Sequence, residues 1–380
     1  MQTTTIAYPS RDGRSTVHAL LWEPDARTAD APAPVTSIHG VPTANVPVRT
    51  ASAGDPPTAD AAAPTVPATA AASPRGLIQI VHGMAEHIDR YEPFACFLTD
   101  HGFAVCANDH VGHGLTAATS RELGHIPLRA GEDVLIEDVH ELRRRACEHL
   151  AGRTAPRPDA PAASPAVATD RDAALASVPY AIFGHSMGSY VTRVYLTRHA
   201  FGVRAAVLCG TGQEPWVKTA AGLAVTRLMA AVAGERHVSA LVHAIGPGGY
   251  ARQMGHGAGG NDWIAADPAV VRAFDADPLS GQRFTVGGYH TLSRLVADAR
   301  NPRLAAAIPK GLPLLFIAGD EDLVGRRGAG VAEAAAEYRR LGVEVVDERL
   351  YHGYRHEILN EPIGGRVMGD VLAWLGERGL

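Results

Sequence analysis

The chain has 380 residues, of which 46% are hydrophobic, and a formal net charge of −5. This composition predicts a globular protein, and the scattered lysines and arginines argue against nucleic-acid binding. The four cysteines show no paired spacing, which favours a reducing, cytoplasmic compartment. The start of the chain lacks the basic and apolar regions of a signal peptide, and no apolar run approaches the roughly 20 residues of a membrane span.

The N-terminal region predicts a hairpin followed by an irregular insert. Residues 3–8 and 15–22 alternate in polarity around the turn sequence PSRDG, which is typical of an antiparallel hairpin at a sheet edge. Residues 25–75 and 152–177 are rich in Ala and Pro and lack periodicity. Such segments bury too little apolar surface to offset the loss of chain entropy, so both are predicted to be flexible inserts.

The remaining chain alternates between strand-like and helix-like runs. Strands are predicted at residues 76–81, 103–108, 178–183, 205–209, 314–318 and 344–350. Helices are predicted at residues 91–101, 131–150, 188–199, 328–341 and 361–376. This alternation indicates an α/β fold with a mostly parallel sheet and helices on both faces. Its interruption between residues 212 and 303 predicts an inserted helical cap, with core segments at 1–211 and 304–380.

The most informative motif is Gly184-His185-Ser186-Met187-Gly188, which lies between a predicted buried strand and a predicted helix. In this context a Gly-x-Ser-x-Gly sequence presents its serine as a nucleophile on a sharp turn. Gly184 and Gly188 suit such a turn, since a β-carbon at either position would collide with neighbouring backbone. The alternative for the pattern alone is a glycine-rich β–α turn without a catalytic role.

A serine nucleophile needs a base, and the base needs an orienting carboxylate. On this kind of scaffold, the acid and then the histidine follow later strands. The sequence GDEDLVG offers three carboxylates after a predicted strand. Asp322 is preferred because it lies inside the turn before an apolar pair, whereas Asp320 and Glu321 are expected to cap the turn or face solvent.

Two histidines compete for the role of base. His352 directly follows the strand predicted at residues 344–350 and is expected to pack there. His356 lies on the loop before the last predicted helix, from which it can reach back over the sheet edge. His356 is therefore the preferred base.

The reaction also needs backbone N–H donors for a negatively charged oxygen. The candidates are Met187, which follows the serine, and Met84, in the sequence IVHGMAEH after an early predicted strand. Gly83 allows the chain to bend inward there, and His82 is expected to support the loop. A similar His-Gly pair at residues 39–40 lies in the Pro-rich insert without a strong strand before it.

Pairs of histidines raise the alternative of a metal site. His82 and His87 form one pair, and His110 and His113 form another. Neither pair has the spacing of a zinc signature or a third ligand nearby in sequence, so no metal and no cofactor are expected.

Five motifs in order carry a resemblance to a known family. HGMAEH, NDHVGHG, GHSMGS, AGDEDLVG and YRHEILNE resemble the monoacylglycerol lipase and lysophospholipase branch of the α/β-hydrolases, a branch also described as serine aminopeptidase-like. The resemblance covers about residues 3–22 and 76–380. It continues in the predicted cap at DPLSGQRFTVGGY, where Ser280 replaces a cysteine that is more frequent in the family.

The resemblance implies an α/β-hydrolase fold and a triad of Ser186, Asp322 and His356, with Met84 and Met187 as oxyanion donors. It implies hydrolysis of monoacylglycerols, lysophospholipids or similar monoacyl esters through an acyl-enzyme. The predicted partners are a small-molecule ester or lipid and, transiently, a membrane surface.

Two other functions are compatible with the same motifs. An aminopeptidase or amidase would need an acidic site for the substrate amine, and the predicted cap offers four aspartates for it: Asp262, Asp267, Asp275 and Asp277. A catalytically inactive hydrolase fold could act as a binding protein, although complete triad and oxyanion candidates argue against it.

The predicted cap contains a helix with an apolar stripe. Over residues 216–232 the stripe comprises Val217, Ala221, Val225, Leu228 and Val232. It either packs the cap onto the core or lines a pocket for an acyl chain. For the second alternative, the candidate substrate-binding residues are Leu223, Leu228 and Met229.

Overall fold

A computed structural model describes residues 1–25, 73–152, 170–255 and 257–380, and the strands in these ranges form one eight-stranded sheet. The strands are β1 (Gln2–Pro9), β2 (Thr16–Glu23), β3 (Leu77–Val81), β4 (Ala104–Asn108), β5 (Tyr180–His185), β6 (Val203–Cys209), β7 (Leu314–Gly319) and β8 (Val346–Tyr351). Their spatial order is β1-β2-β4-β3-β5-β6-β7-β8. The β1–β2 and β2–β4 pairs are antiparallel and all other pairs are parallel, which confirms the predicted edge hairpin and mostly parallel sheet.

The helices of the described ranges surround this sheet. They are α1 (Glu92–Asp100), α2 (Gly131–Ala151), α3 (Asp170–Ser177), α4 (Met187–Leu196), α5 (Trp216–Ala233), α6 (Ala240–Ile245), α7 (Gly248–Gln253), α8 (Pro268–Ala276), α9 (Val286–Ala299), α10 (Pro302–Ala305), α11 (Ala329–Arg340) and α12 (Gly364–Gly376). The five predicted helices correspond to α1, α2, α4, α11 and α12. Helices α5 to α9 follow one another between β6 and β7, within the range predicted for the cap.

The prediction that residues 152–177 form a flexible insert is partly wrong. The last of these residues form helix α3, which packs along α2 and buries Leu175. Alanine is the strongest helix former, and the sequence AALA in this segment outweighs its lack of clear periodicity. The remainder of the two predicted inserts, residues 26–72 and 153–169, lies outside the described residues.

The central strands are buried on both faces, as their continuous apolar sequences indicate. In β3, Leu77 and Val81 belong to a core that includes residues of α2 and α4. The alternate residues Ile78 and Ile80 belong to a second core that includes residues of α1 and α12. The period of two along the strand therefore divides the apolar residues between two layers, and the sheet lies between them.

Helix α5 departs from the expectation that no apolar run approaches membrane-spanning length. Its 18 residues have a mean hydropathy of 1.2, which by length and composition is enough to cross a membrane. Only 11% of this helix is buried, so it is not a core helix. It packs along α9, which leaves a large part of its apolar surface facing outward.

Candidate active site

The residues predicted to act in catalysis lie at one edge of the sheet. Met84 follows β3 by three residues, Ser186 directly follows β5, Asp322 lies in the turn after β7, and His356 lies in the loop after β8. These strands run parallel, so their C-terminal ends share an edge. This edge is where α/β sheets present their functional groups.

Ser186 stands on a strained turn between β5 and α4. Its φ is +51° and its ψ is −121°, a region that residues with a side chain rarely adopt. A β-carbon at Gly188 would lie 2.0 Å from the carbonyl oxygen of Val81, and one at Gly184 would lie 2.5 Å from that of Gly188. Both glycines are therefore required by close backbone packing, and this packing holds the serine in its strained conformation.

His356 and Asp322 form a buried pair. The Nδ1 atom of His356 lies 2.9 Å from the Oδ2 atom of Asp322, while Oδ1 of Asp322 accepts a hydrogen bond from the backbone N–H of Val324 at 2.8 Å. Because the carboxylate engages Nδ1, the other ring nitrogen remains for chemistry. Nε2 of His356 is buried and has no hydrogen-bond partner among the described residues, and His356 lines the same pocket as Ser186.

The imidazole of His356 packs against two aromatic rings, and neighbouring charges shift its pKa. Its ring centroid lies 4.7 Å from that of His185 and 5.2 Å from that of Trp263. Burial by itself lowers the pKa of His356, but the Asp322 carboxylate, with a smaller effect of Glu357, raises this pKa above its ordinary value. Burial lowers the pKa of neighbouring His185 to about 3, so that ring stays neutral beside His356.

The rival acid and histidine form a separate pair at the surface. The Nδ1 atom of His352 lies 2.7 Å from the Oδ2 atom of Asp320, and the His352 side chain is 97% exposed. The expectation that Asp320 faces solvent fits this arrangement, but the expectation that His352 packs against the strand is wrong. The turn at Gly353, whose N–H donates to Asp320, directs the imidazole outward.

His82 orients the peptide that carries the Met84 N–H. The Nε2 atom of His82 lies 3.0 Å from the backbone nitrogen of His110, and its Nδ1 atom lies 2.8 Å from the carbonyl oxygen of Gly83. A backbone N–H can only donate, so Nε2 accepts and Nδ1 carries the proton that is donated to Gly83. The peptide is planar and trans, so the N–H of Met84 points away from that carbonyl.

Of the two histidine pairs that suggested a metal site, His110 and His113 stay together in the structure, whereas His82 and His87 make different contacts. The rings of His82, His110 and His113 lie together, with centroids 4.3 to 6.0 Å apart, and burial lowers the pKa of each. His87 instead contacts Asp277, with Nε2 2.7 Å from a carboxylate oxygen. Within the described ranges, no three or more His, Cys, Asp or Glu side chains are arranged to hold a metal ion.

Two pockets meet at Ser186. The larger encloses about 950 Å³ of space, part of it open to solvent, and is mostly apolar. The smaller encloses about 500 Å³ and includes polar side chains. Residues shared by both are Met84, Ser186, Pro247, Trp263 and Tyr289. The serine therefore separates an apolar compartment from a more polar one.

The apolar stripe predicted on α5 does not act as a single face in the structure. Val217, Leu228 and Val232 are more than half exposed, so they neither pack on the core nor line the pocket. Of the stripe residues, Val225 lines the pocket, together with Thr219, Gly222 and Thr226.

The three predicted substrate-binding residues require correction. Leu223, Leu228 and Met229 do not line the pocket: Leu228 is 68% exposed, and Met229 packs against the main core. Residues of α5 are small or apolar on nearly every side, so the sequence did not specify which face turns inward.

Several residues of the site were missed from the sequence. Tyr250, Trp263 and Tyr289 reach the pockets from helices and loops between β6 and β7, and no local pattern indicated them. Glu86 and Glu357 line the smaller pocket, and both stand inside motifs already singled out, HGMAEH and YRHEILNE. Their position close to Met84 and His356 in the sequence could have indicated that they belong to the site.

The fold, with Ser186 on the sharp turn between β5 and α4, defines an α/β-hydrolase, and comparisons with known proteins agree. The structure superposes on a highly thermostable carboxyl esterase from Bacillus coagulans with a TM-score of 0.74, at 24% identity and full coverage of both chains. It also superposes on a soluble variant of monoglyceride lipase from Saccharomyces cerevisiae with a TM-score of 0.64, at 14% identity, covering 99% of this chain and 94% of the other. At these identities the likeness concerns the fold.

The chain belongs to the serine aminopeptidase, S33, family, whose model matches residues 72–157 and 165–363. Over 305 residues it is 28% identical to the monoacylglycerol lipase of Mycolicibacterium smegmatis, covering 80% of this chain and 88% of that protein. These findings confirm the predicted monoacylglycerol lipase-like branch of the α/β-hydrolases and support carboxylic ester hydrolysis as the activity.

Proposed function

We propose that this protein hydrolyses monoacyl esters of small hydroxylated alcohols, with monoacylglycerols as the substrate class. The observation that carries the proposal is the position of Ser186 between an apolar pocket and a smaller, more polar one. A monoacyl ester has one long apolar arm and one short polar arm on either side of its carbonyl. The two pockets match this division, since acyl chains gain free energy from apolar burial and hydroxyl groups need hydrogen-bonding partners.

In the proposed mechanism, Ser186 Oγ attacks the ester carbonyl while Nε2 of His356 takes the hydroxyl proton. Asp322 holds Nδ1–H and stabilises the imidazolium, and the backbone N–H groups of Met84 and Met187 bind the oxyanion. Met187 is the first residue of α4, where N–H groups lack intrahelical partners. His356 then returns the proton to the departing alcohol, and water releases the acid from the acyl-enzyme by the same steps.

The chemistry of the smaller pocket favours a neutral alcohol over a phosphate-bearing one. Its polar lining includes Asn261, Gln282, His243 and the carboxylates of Glu86 and Glu357. No lysine or arginine is among the lining residues in the described part of the chain. A lysophospholipid phosphate would find no cation among these lining residues and would approach two carboxylates that share one positive charge, that of Arg90, whereas glycerol hydroxyls can both donate and accept there.

The aminopeptidase alternative receives no support from the predicted acidic residues. Asp262 and Asp267 accept hydrogen bonds from backbone N–H groups, Asp275 accepts from Asn261, and Asp277 binds His87 and Ser280. None of the four lines either pocket. A substrate ammonium group would therefore find these carboxylates engaged elsewhere and absent from the pocket lining.

We further propose that residues 212–303 form a cap between core segments 1–211 and 304–380, and that the cap makes transient contact with a lipid surface. Trp216, Leu228 and Val232 on α5 are exposed, and Ile245 is both 45% exposed and part of the apolar pocket lining. The charged residues of α5 are two cations, Lys218 and Arg227. A cytoplasmic location is proposed because the four cysteines are unpaired.

A substrate panel tests the proposed function. Purified wild type and Ser186→Ala are assayed on monoacylglycerol, lysophosphatidylcholine, p-nitrophenyl butyrate and an aminoacyl anilide. We expect the highest kcat/KM on the monoacylglycerol, and a loss of about 10⁴-fold or more in Ser186→Ala, since only oxyanion and binding contributions would remain. Faster hydrolysis of the lysophospholipid or anilide would contradict the substrate assignment, and an active Ser186→Ala would contradict the mechanism.

A further inference from the structure

A buried guanidinium joins the two loops that flank Ser186. Arg90, in a short 3₁₀ turn before α1, donates from Nη1 to Oε2 of Glu86 and to Oε1 of Glu357, both at 2.8 Å. Its Nη2 donates to Oε2 of Glu357 at 2.6 Å. All three side chains are at most 12% exposed. Glu86 belongs to the loop that carries Met84, and Glu357 directly follows His356.

Glu86 links Arg90 to the oxyanion loop, residues 82–87, which follows β3 and carries Met84. Its Oε1 atom accepts a hydrogen bond from the backbone N–H of Gly83 at 2.5 Å and from the hydroxyl of Tyr91 at 2.8 Å. Gly83 lies directly against the nucleophile, since a β-carbon there would be 2.9 Å from Cβ of Ser186. The carboxylate of Glu86 therefore holds the residue whose next peptide carries the Met84 N–H.

Glu357 links Arg90 to the His356 loop, the segment between β8 and α12. Both of its carboxylate oxygens accept from the guanidinium, and its backbone N–H donates to the carbonyl oxygen of Ile264 at 2.7 Å. A two-point contact between a planar guanidinium and a carboxylate restricts orientation as well as distance, which a lysine ammonium cannot do. The peptide of His356 is thereby tied to Arg90 through the adjacent side chain.

We propose that Arg90 is a positioning residue that sets the oxyanion loop relative to the His356 loop through Glu86 and Glu357. The inference rests on the proposed function, because the spacing of Met84 and His356 matters only if both act on one tetrahedral carbon. Arg90 lines neither pocket, and p-nitrophenyl butyrate has no hydroxylated alcohol to contact Glu86 and Glu357 in the smaller pocket, so with this substrate the effect should fall on turnover rather than on binding. A small displacement of catalytic groups is sufficient to lower a rate about 100-fold.

The competing explanation is that Arg90 only stabilises the fold, and a second buried arginine provides the control. Arg143, on α2, is fully buried and donates to the backbone carbonyl oxygens of His199 and Phe201 at 3.2 and 2.7 Å. It lines neither pocket. Removing either arginine leaves buried acceptors unpaired, so both substitutions should lower the melting temperature.

The experiment compares Arg90→Met, Arg90→Lys and Arg143→Met with wild type and Ser186→Ala. The values of kcat and KM for p-nitrophenyl butyrate are measured well below every melting temperature and corrected for the folded fraction. We expect kcat to fall about 100-fold in Arg90→Met and about tenfold in Arg90→Lys, with KM within about threefold of wild type. Arg143→Met should keep kcat within about threefold.

Each of the other outcomes would overturn either the positioning role of Arg90 or the proposed function. Retention of wild-type kcat in Arg90→Met, an equal loss in Arg143→Met, or a loss confined to KM overturns the positioning role. If Arg90→Met does not fold, Arg90→Lys, which keeps the charge, decides by the same criteria. A wild type no more active than Ser186→Ala would overturn the proposed function itself, which distinguishes that failure from a failure of the Arg90 inference.

Discussion

The Nδ1 atom of His356 lies 2.9 Å from Oδ2 of Asp322, and these side chains are 3% and 0% exposed. A second pair in the same two loops, His352 and Asp320, has the same atoms 2.7 Å apart but is open to solvent. The two pairs have similar hydrogen-bond geometry and opposite burial. The protein therefore contains its own control for the role of the acid.

Asp322→Asn should lower kcat by about 10⁴-fold, because an amide at this position favours the wrong imidazole tautomer. Asp320→Asn should change kcat by less than about threefold, since its partner faces solvent. Steady-state kinetics on p-nitrophenyl butyrate, with melting temperatures for both variants, measure the difference. Equal effects, or a larger effect of Asp320→Asn, would exclude Asp322 as the acid.

The activity should depend on pH through His356, which accepts a proton only when it is neutral. Because Asp322 and Glu357 raise its pKa, kcat/KM should rise from pH 6 to 8 with a midpoint above the ordinary value of about 6.5. The raised pKa also means that protonated His356 stabilises the fold at low pH, and that this contribution is lost as the pH rises through the folded-state pKa. A flat profile with rate-limiting chemistry would argue against a histidine base.

The inward face of α5 should control acyl-chain preference. Val225 lines the apolar pocket, whereas Leu228, three residues later, is 68% exposed. Val225→Glu should lower kcat/KM for a dissolved octanoate ester at least about tenfold more than for an acetate ester, since a carboxylate would be buried against the chain. Leu228→Glu is the matched control and should leave the ratio of octanoate to acetate unchanged. A similar change of that ratio in both variants would contradict the assigned face.

The outward face of α5 should bind lipid. The double variant Leu228→Glu with Val232→Glu should weaken cosedimentation with phosphatidylcholine–phosphatidylglycerol vesicles about tenfold or more, because two apolar side chains no longer enter the bilayer surface. Phe201→Glu is the control, since Phe201 is also exposed but precedes β6 at the opposite edge of the sheet. Equal binding by wild type and the double variant would contradict the proposed contact.

Much of the fold was accessible from the sequence alone. The periods of two and of about 3.6 residues predicted the parallel sheet, the edge hairpin and five flanking helices. The glycines around Ser186 indicated a tight elbow, and the structure has contacts there that exclude a β-carbon. These features are local, because strand alternation and turn stereochemistry depend on residues within a few positions of one another.

The sequence also indicated where a candidate acid and a candidate base lie, because each follows a strand whose C-terminal end lies at the same edge of the sheet. The choice of Asp322 and His356 followed from their positions in the two loops. The sequence did not indicate that the rejected His352 would be exposed and paired with Asp320. That pairing depends on how two separate loops approach each other in space.

Only the tertiary structure decided which face of α5 is inward and what joins the loops around Ser186. Helix α5 is small or apolar on nearly all sides, so its pocket-lining face is selected by its contact with α9 and not by its own pattern. Arg90 and Glu357 are 267 residues apart in the chain, yet their side chains form two hydrogen bonds. No local period encodes such a contact, because it arises when the parallel sheet brings the ends of β3 and β8 to one edge.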